Sequence, residues 1–306
     1  VFQDNPVNIL RFFHDAARMD AMKHPAALRL ITQSLDLIDD DLRADKTATG
    51  LFMDMLCDPA HAERLLRSMS ETRVLARFVP EFGRIVAMMQ FNMYHHYTVD
   101  EHTLRTIGVL NQIERLEEED AHPVASDILK GGVNRRVLYT ALLLHDIGKG
   151  DVRDHSELGA EIAAQVCPRL GLDEAETETV VWLVRHHLTL SVTAQKKDIS
   201  DPGVIREFAE LVGDQAHLDY LYVLTVADVR GTNPNLWNAW RGRLFEELYG
   251  LARLALQSGL ENPIDKDELL IGKQKEARVL LAGANIEETL IDAIWDDMGE
   301  EYFLRC

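Results

Sequence analysis

LLLHDIGKG, Leu142–Gly150, ends an apolar helical run by setting an imidazole beside a carboxylate and then stopping on glycine, lysine and glycine. Three leucines precede His145 and Asp146, so both polar groups are aimed at the interior, where neither is tolerated without a partner. The run itself is one of many. Apolar residues recur at three- and four-residue steps in Leu104, Ile107, Leu110 and Ile113, in Val180, Leu183, Val184 and Leu188, and in Leu244, Leu248, Leu251 and Leu254, the spacing of one buried helical face. In LRLITQSLDLIDDDL the same spacing predicts a continuous helical face from Leu28 through Ile31, Leu35 and Ile38 to Leu42. Strand-like alternation is scarce, and YLYVLTVADV is compatible with a fully buried helix. The fold class read from this is all-α.

Breakers divide the chain at Asp58-Pro59, Val79-Pro80, His122-Pro123, Gly131-Gly132, Gly148 to Asp154, Cys167-Pro168, Gly171, Asp201-Pro202 and Asn233-Pro234, which leaves roughly a dozen helices of ordinary length. A soft boundary falls near residues 90–100, and a smaller tail begins near Gly259.

An apolar fraction of 46% over 306 residues is that of an ordinary globular protein. A formal net charge of −19 opposes nonspecific attachment to nucleic acid or to anionic membranes. A phosphate ester could then be bound only where cations reverse that sign locally. No apolar run approaches the roughly 20 residues of a membrane span, and VFQDNPVNILRFF lacks the charged and apolar regions of a cleaved signal. The expectation is a cytoplasmic protein. Cys57, Cys167 and Cys306 are odd in number and form no CxxC pair, which suggests neither disulfides nor a thiolate metal site. A start on Val1 and an end on EEYFLRC are those expected of a piece of a longer chain.

Histidine occurs 12 times, and several copies sit where an apolar helix begins or ends. His102 lies just inside a helix that begins near Asp100; His145 and Asp146 end the next apolar helix; His155 opens another in DHSELGAEIA; His186 and His187 come late in WLVRHHLTL, and Asp228 late in YVLTVADVRG. Singly, each has a plain reading: a buried histidine bonded to a backbone carbonyl, an aspartate capping the turn at Arg230 and Gly231, an Asp146–Lys149 pair at a solvated helix end. Together they need one partner each in an apolar core, and a divalent metal, or two, would satisfy the set. His102, His145, Asp146 and Asp228 offer two imidazoles and two carboxylates from three helices, a set suited to an octahedral cation. Neighbours on a helix point about 100° apart, so the His145-Asp146 pair suits a site in which one carboxylate oxygen serves each of two ions, with His155, His186 and His187 on the second. Nitrogen and oxygen donors without thiolate favour manganese, iron, cobalt or zinc over calcium.

H…HD…D around HDIGKG resembles the HD superfamily of metal-dependent phosphohydrolases, and the added His155 and His186-His187 resemble its two-metal members. DHSELGAEIA, VRHHLTLSVTAQKKDISDP and LTVADVRGTNPNLWNAWRGRLFEELY together resemble the HD domain of the bifunctional uridylyltransferase/uridylyl-removing enzymes that modify the nitrogen-regulatory PII protein. The similarity runs from about Tyr94 to Leu256, and the flanks NPVNILRFFHDAARM and WDDMGEEYFLRC are similar to that family's connecting segments.

The resemblance implies a helical connecting region over 1–93, an HD phosphohydrolase domain over 94–258, and a tail over 259–306 leading to sensor domains. It implies removal of UMP from uridylylated PII, with glutamine acting through sensor domains that this chain lacks, as it lacks a transferase domain. It implies one or two divalent ions, manganese first, with iron, cobalt, zinc or magnesium as alternatives. The ligands would be His102, His145, Asp146 and Asp228 for one ion and His155, His186 and His187 for the other; His145, Asp146 and Lys149 would be catalytic, and Lys149, Arg230 and Asn233 would contact substrate. Lys149 could equally be a lysine favoured by a helix C-terminus, and Arg230 and Asn233 could simply build the turn before Pro234. Trp237, Trp240 and Tyr249 are expected in the core rather than as a uracil-stacking platform, and Glu117 to Asp120 as a solvated helix end. Two other readings stand beside this one: an HD hydrolase of a small nucleotide such as a guanosine polyphosphate or cyclic dinucleotide, and a non-catalytic regulatory module.

Overall fold

A computed structural model of the chain describes residues 1–19, 24–89, 97–115, 122–233 and 237–259, with Arg278, Leu281 and Trp295 beyond. The expected boundary at Tyr94, the acidic run Glu117 to Asp120, Pro234, Cys306 and most of the tail lie outside the described residues.

The described residues form helices α1 (Asn8–Arg18), α2 (Pro25–Gln33), α3 (Asp40–Ala44), α4 (Lys46–Leu56), α5 (Ala62–Glu71), α6 (Val74–Phe78), α7 (Pro80–Gly83), α8 (Val99–Glu114), α9 (Pro123–Lys130), α10 (Arg135–Leu144), α11 (His155–Arg169), α12 (Glu174–His186), α13 (Thr189–Lys196), α14 (Pro202–Val212), α15 (Gln215–Thr232) and α16 (Ala239–Ser258). Among them there is no strand; Met89 and Thr98 make one isolated antiparallel bridge. The fold is all-α, as the periodicity predicts.

Local chemistry sets the helix starts. Asp45, Asn134, Asp154 and Asp201 each accept from backbone N–H groups of the first turn of the helix that follows, and Asp173 with Glu176 forms a reciprocal capping box at α12. Pro25, Pro80, Pro123 and Pro202 stand at the first helical position, where no N–H is missed.

Two expectations need correction. The face expected to run unbroken from Leu28 to Leu42 is interrupted: α2 stops at Gln33, a 3₁₀ turn covers Leu35–Leu37, and α3 starts afresh behind Asp39, whose carboxylate accepts from Leu42 N. Ile31, Ile38 and Leu42 are still buried, so the apolar spacing is kept while Asp39 prefers a cap to a helix interior. Cys167-Pro168 does not end α11 either; Pro168 lies inside its last turn, and the helix closes at Arg169.

The chain divides into two compact units. The first comprises Val1–Ser191 and Asp219–Arg243. In it α12 packs on α10 and α11, and α8 packs on α5, α9 and α10. Leu104, Ile107, Leu110 and Ile113 of α8, together with Leu138 and Leu142–Leu144 of α10, lie in the core. The second comprises Val192–Leu218 and Leu244–Cys306. There α14 buries Ile205, Phe208, Ala209 and Val212, and Gln215 Nε2 donates to the Tyr249 hydroxyl at 3.2 Å. Tyr249 is buried as expected, whereas Trp240 is 61% exposed; Phe245, Leu248 and Ala252 of the same helix are fully buried. Cys57 and Cys167 are free thiols, and burial pushes both up to about 12.

Two glycines permit the approaches that assemble the site. A Cβ on Gly148 would stand 2.2 Å from the His155 carbonyl oxygen, so the turn after Asp146 closes directly on the start of α11. A Cβ on Gly231 would stand 2.6 Å from Thr106 Cγ2 and 3.0 Å from Thr106 N, so α15 touches α8 backbone to backbone. Gly231→Ala is expected to destabilise the chain by about 1–3 kcal/mol through overpacking, read as a lower denaturant midpoint. Thr106→Ala should recover part of that loss, because it removes the nearer of the two clashing atoms.

Candidate metal centre

Five helix ends supply the polar groups. His102 sits in the first turn of α8, His145 caps α10, Asp146 follows it, His155 begins α11, His187 caps α12 and Asp228 lies one turn before the end of α15. His102, His145, Asp146 and His187 are each no more than 2% exposed.

Two of the histidines are oriented by the same device. His145 Nδ1 donates to the Leu142 carbonyl at 2.7 Å, and His187 Nδ1 donates to the Val184 carbonyl at 2.7 Å. Each imidazole thereby satisfies a carbonyl of its own helix end with Nδ1 and turns Nε2 inward. Ile147 N donates to Leu144 O and Lys149 N to Asp146 O, which closes the HDIGK segment into a tight turn that carries the carboxylate inward.

The inward atoms fall into two groups that share Asp146. In the first, His102 Nε2 lies 3.0 Å from His145 Nε2, 3.0 Å from Asp228 Oδ1 and 3.4 Å from Asp146 Oδ2. His145 Nε2 lies 3.3 Å from Asp146 Oδ2 and 3.7 Å from Asp228 Oδ1. Cis donors on an octahedral cation with ligand distances of about 2.1 Å are about 3.0 Å apart, so His102, His145 and Asp146 have a spacing that could hold an ion, with Asp228 beside the two histidines. In the second, Asp146 Oδ1 lies 3.8 Å from His187 Nε2 and 3.9 Å from His155 Nε2, and the three atoms are within 4.8 Å of one another. His187 Nε2 is buried with no hydrogen-bond partner, the state of a nitrogen held for a cation.

Electrostatics match the geometry. Burial would push His145 down, yet the Asp146 and Asp228 carboxylates carry it up to about 9. Burial alone would raise Asp146, but His145, Lys149 and His102 hold it well below the usual carboxylate range, and Asp228 is likewise lowered against its own burial by His102 and His145. Both carboxylates are thus ionised in a dry site, and a positive charge among them is strongly favoured. His187, desolvated and beside His145, is pushed down to about 4, and burial lowers His155 as well. Both stay neutral and able to ligate. These residues fit a divalent cation held by nitrogen and oxygen donors.

Other expected site residues are placed differently. His186 does not join the cluster; its ring packs on Trp182 at 4.9 Å between centroids, because the adjacent His187 takes the inward direction on α12. Lys149 Nζ lies 2.7 Å from Asp146 Oδ2 with its side chain 10% exposed, a buried ion pair rather than a solvated helix end. Arg230 Nη1 donates to His122 Nε2 at 3.0 Å, and the His122 ring meets Trp237 edge-on at 4.8 Å. Asn233 is buried just past α15. His122, pushed down to about 4 by burial, was not visible as a participant in the sequence, where only the proline after it stands out.

Comparison with known proteins adds three matched stretches. Residues 1–78 match the family described as uridylyltransferase GlnD third domain, 99–229 the HD domain, and 265–306 the uridylyltransferase GlnD fifth domain. Proteins named bifunctional uridylyltransferase/uridylyl-removing enzyme are similar at 56% identity in Ruegeria pomeroyi (85% of this chain, 29% of the relative), 49% in Azospirillum brasilense (85% and 28%) and 44% in Methylococcus capsulatus (98% and 34%). The chain therefore spans about a third of the length of these curated relatives.

Since each oxygen of Asp146 faces a different histidine group, the two sites should be separable by mutation. Calorimetric titration with Mn²⁺ is expected to give two ions per chain for the unaltered protein, one for His187→Ala, and a loss of both high-affinity sites for Asp146→Ala. Two ions bound by Asp146→Ala would refute the shared-carboxylate arrangement.

Proposed function

We propose that this chain, whose three matched stretches and 44–56% identity relate it to bifunctional uridylyltransferase/uridylyl-removing enzymes, carries the uridylyl-removing reaction, hydrolysis of the phosphodiester joining UMP to a tyrosine of a PII signalling protein. The products are UMP and unmodified PII. The observation that carries this reading is Asp146, one buried carboxylate with Oδ2 toward His102 and His145 and Oδ1 toward His155 and His187.

In this reading His102, His145, Asp146 and Asp228 hold one divalent ion and Asp146, His155 and His187 a second, with manganese the first choice and iron, cobalt, zinc or magnesium alternatives. Bound ions of this kind lower the pKa of water, polarise phosphoryl oxygen and stabilise the charge that develops there. The protein's own part is preorganisation. The Leu142 and Val184 carbonyls hold the His145 and His187 rings with Nε2 inward, so ligation needs no reorientation of either ring. Lys149 places a compact positive charge against Asp146 at the margin of the cluster, where it meets a phosphate oxygen as a point charge. Burial of His145 and Asp146 keeps bulk water away and preserves the strength of each charge. For a chain of net charge −19, this local inversion of sign is what admits a phosphodiester. Among the described residues no helix is long and apolar enough to cross a membrane. Arg230, engaged with His122, shapes the surroundings of Asp228 in this reading.

The test is release of UMP from uridylylated PII by the chain in added Mn²⁺. His145→Ala and Asp146→Ala should abolish it, and Lys149→Met should lower turnover by about 100-fold, the loss typical of one charge-stabilising group. Turnover of a guanosine polyphosphate without UMP release would overturn the substrate assignment while leaving the metal site standing.

A further inference from the structure

Helix α8 delivers His102 from one face and is gripped along another. Arg67, on α5, holds Glu101 with both arms of its guanidinium, Nη1 to Oε2 at 2.6 Å and Nη2 to Oε1 at 3.2 Å. The same Nη2 donates to Glu63 Oε1 at 2.8 Å, and Arg105 Nε donates to Glu101 Oε1 at 2.8 Å. Two turns along, Glu63 rests on the bare backbone of α8: a Cβ on Gly108 would stand 2.2 Å from Glu63 Oε2. Beyond it Asn111 Oδ1 accepts from Glu63 N at 3.3 Å, while its Nδ2 donates to the Asp58 carbonyl at 3.2 Å and to the Tyr139 hydroxyl at 2.8 Å. Glu101, Gly108 and Asn111 thus form one stripe fixed to α5 and the turn before it. His102 and Thr106 form the stripe that meets Asp228 and Gly231 of α15.

Magnitudes make this grip matter. Each residue advances a helix by about 1.5 Å, so a slip of even part of a residue would spoil the 3.0 Å spacings of His102 Nε2 to His145 Nε2 and Asp228 Oδ1. A lysine at position 67 could supply the charge but not the planar fork that fixes both oxygens of Glu101.

We propose that Arg67 is a positioning residue for the metal centre, acting through Glu101 to set the axial position of α8 and so the place of His102 Nε2. The inference rests on reading the His/Asp cluster as a metal centre. It also makes the region before the HD stretch part of the site, because Arg67 lies within the 1–78 match and Glu101 within the 99–229 match.

The test is Mn²⁺ titration of the whole chain in two backgrounds, His187→Ala, which isolates the first site, and His145→Ala, which isolates the second. Arg67→Met should weaken Mn²⁺ binding in the His187→Ala background by about 10- to 100-fold, the loss seen when groups that orient a ligand are removed, and leave binding in the His145→Ala background nearly unchanged. Arg67→Lys should be intermediate, and serves as the test if Arg67→Met does not fold. Wild-type affinity in Arg67→Met with His187→Ala, or equal weakening in both backgrounds, would overturn the proposal. If neither background binds Mn²⁺, the metal reading itself fails and the positioning role falls with it.

Discussion

Everything in the first unit is arranged around the cost of burying the Asp146 carboxylate. An ionised carboxylate in a dry interior is tolerated only with charges or donors on its oxygens, and each oxygen here faces its own set, Oδ2 toward His102, His145 and Lys149 and Oδ1 toward His155 and His187. Three helices besides α10, namely α8, α11 and α12, must therefore terminate or begin within a few ångströms of one residue. That requirement explains why the glycines that matter sit where backbones touch: Gly148 where the HDIGKG turn closes on α11, and Gly231 where α15 meets α8.

Helix ends serve this purpose well. The last carbonyls of α10 and α12 lack partners within their helices, and a histidine at the cap position answers that need with Nδ1 while turning Nε2 toward the site. One hydrogen bond thus completes a helix and prepares a ligand. Capping aspartates do the complementary work at helix starts, with Asp154 fixing the first turn of α11 immediately before His155.

Much of this was legible in the sequence because the signals are local. Apolar spacing marks helices, caps mark their starts, and the HDIGKG turn marks a buried polar pair. The spacing of about 100° between helical neighbours does not govern His145 and Asp146, because α10 ends at Leu144: His145 Nε2 and Asp146 Oδ2 lie 3.3 Å apart in one group, while Oδ1 faces His155 and His187. Choices between neighbours were not legible: His187 rather than His186 turns inward, and Trp240 rather than Trp237 is exposed, because a local pattern does not fix the roll of a helix to within one residue. Contacts between residues far apart in sequence left no trace either. Arg67 and Glu101, or His122 and Arg230, are ordinary polar residues until the packing of α5 on α8 and of the α9 start near α15 brings them together.

The two described thiols bear on how such a centre fares among the oxidants and competing metals of a living cell. With Cys57 and Cys167 pushed up to about 12, almost no thiolate exists at neutral pH, and the thiolate is the form that reacts with peroxide and captures soft metals. A nitrogen-and-oxygen site in this setting has no sulfur rival on its own unit for an incoming ion. Cys57 and Cys167 would therefore compete poorly for a cation with the nitrogen and oxygen donors of His102, His145 and Asp146.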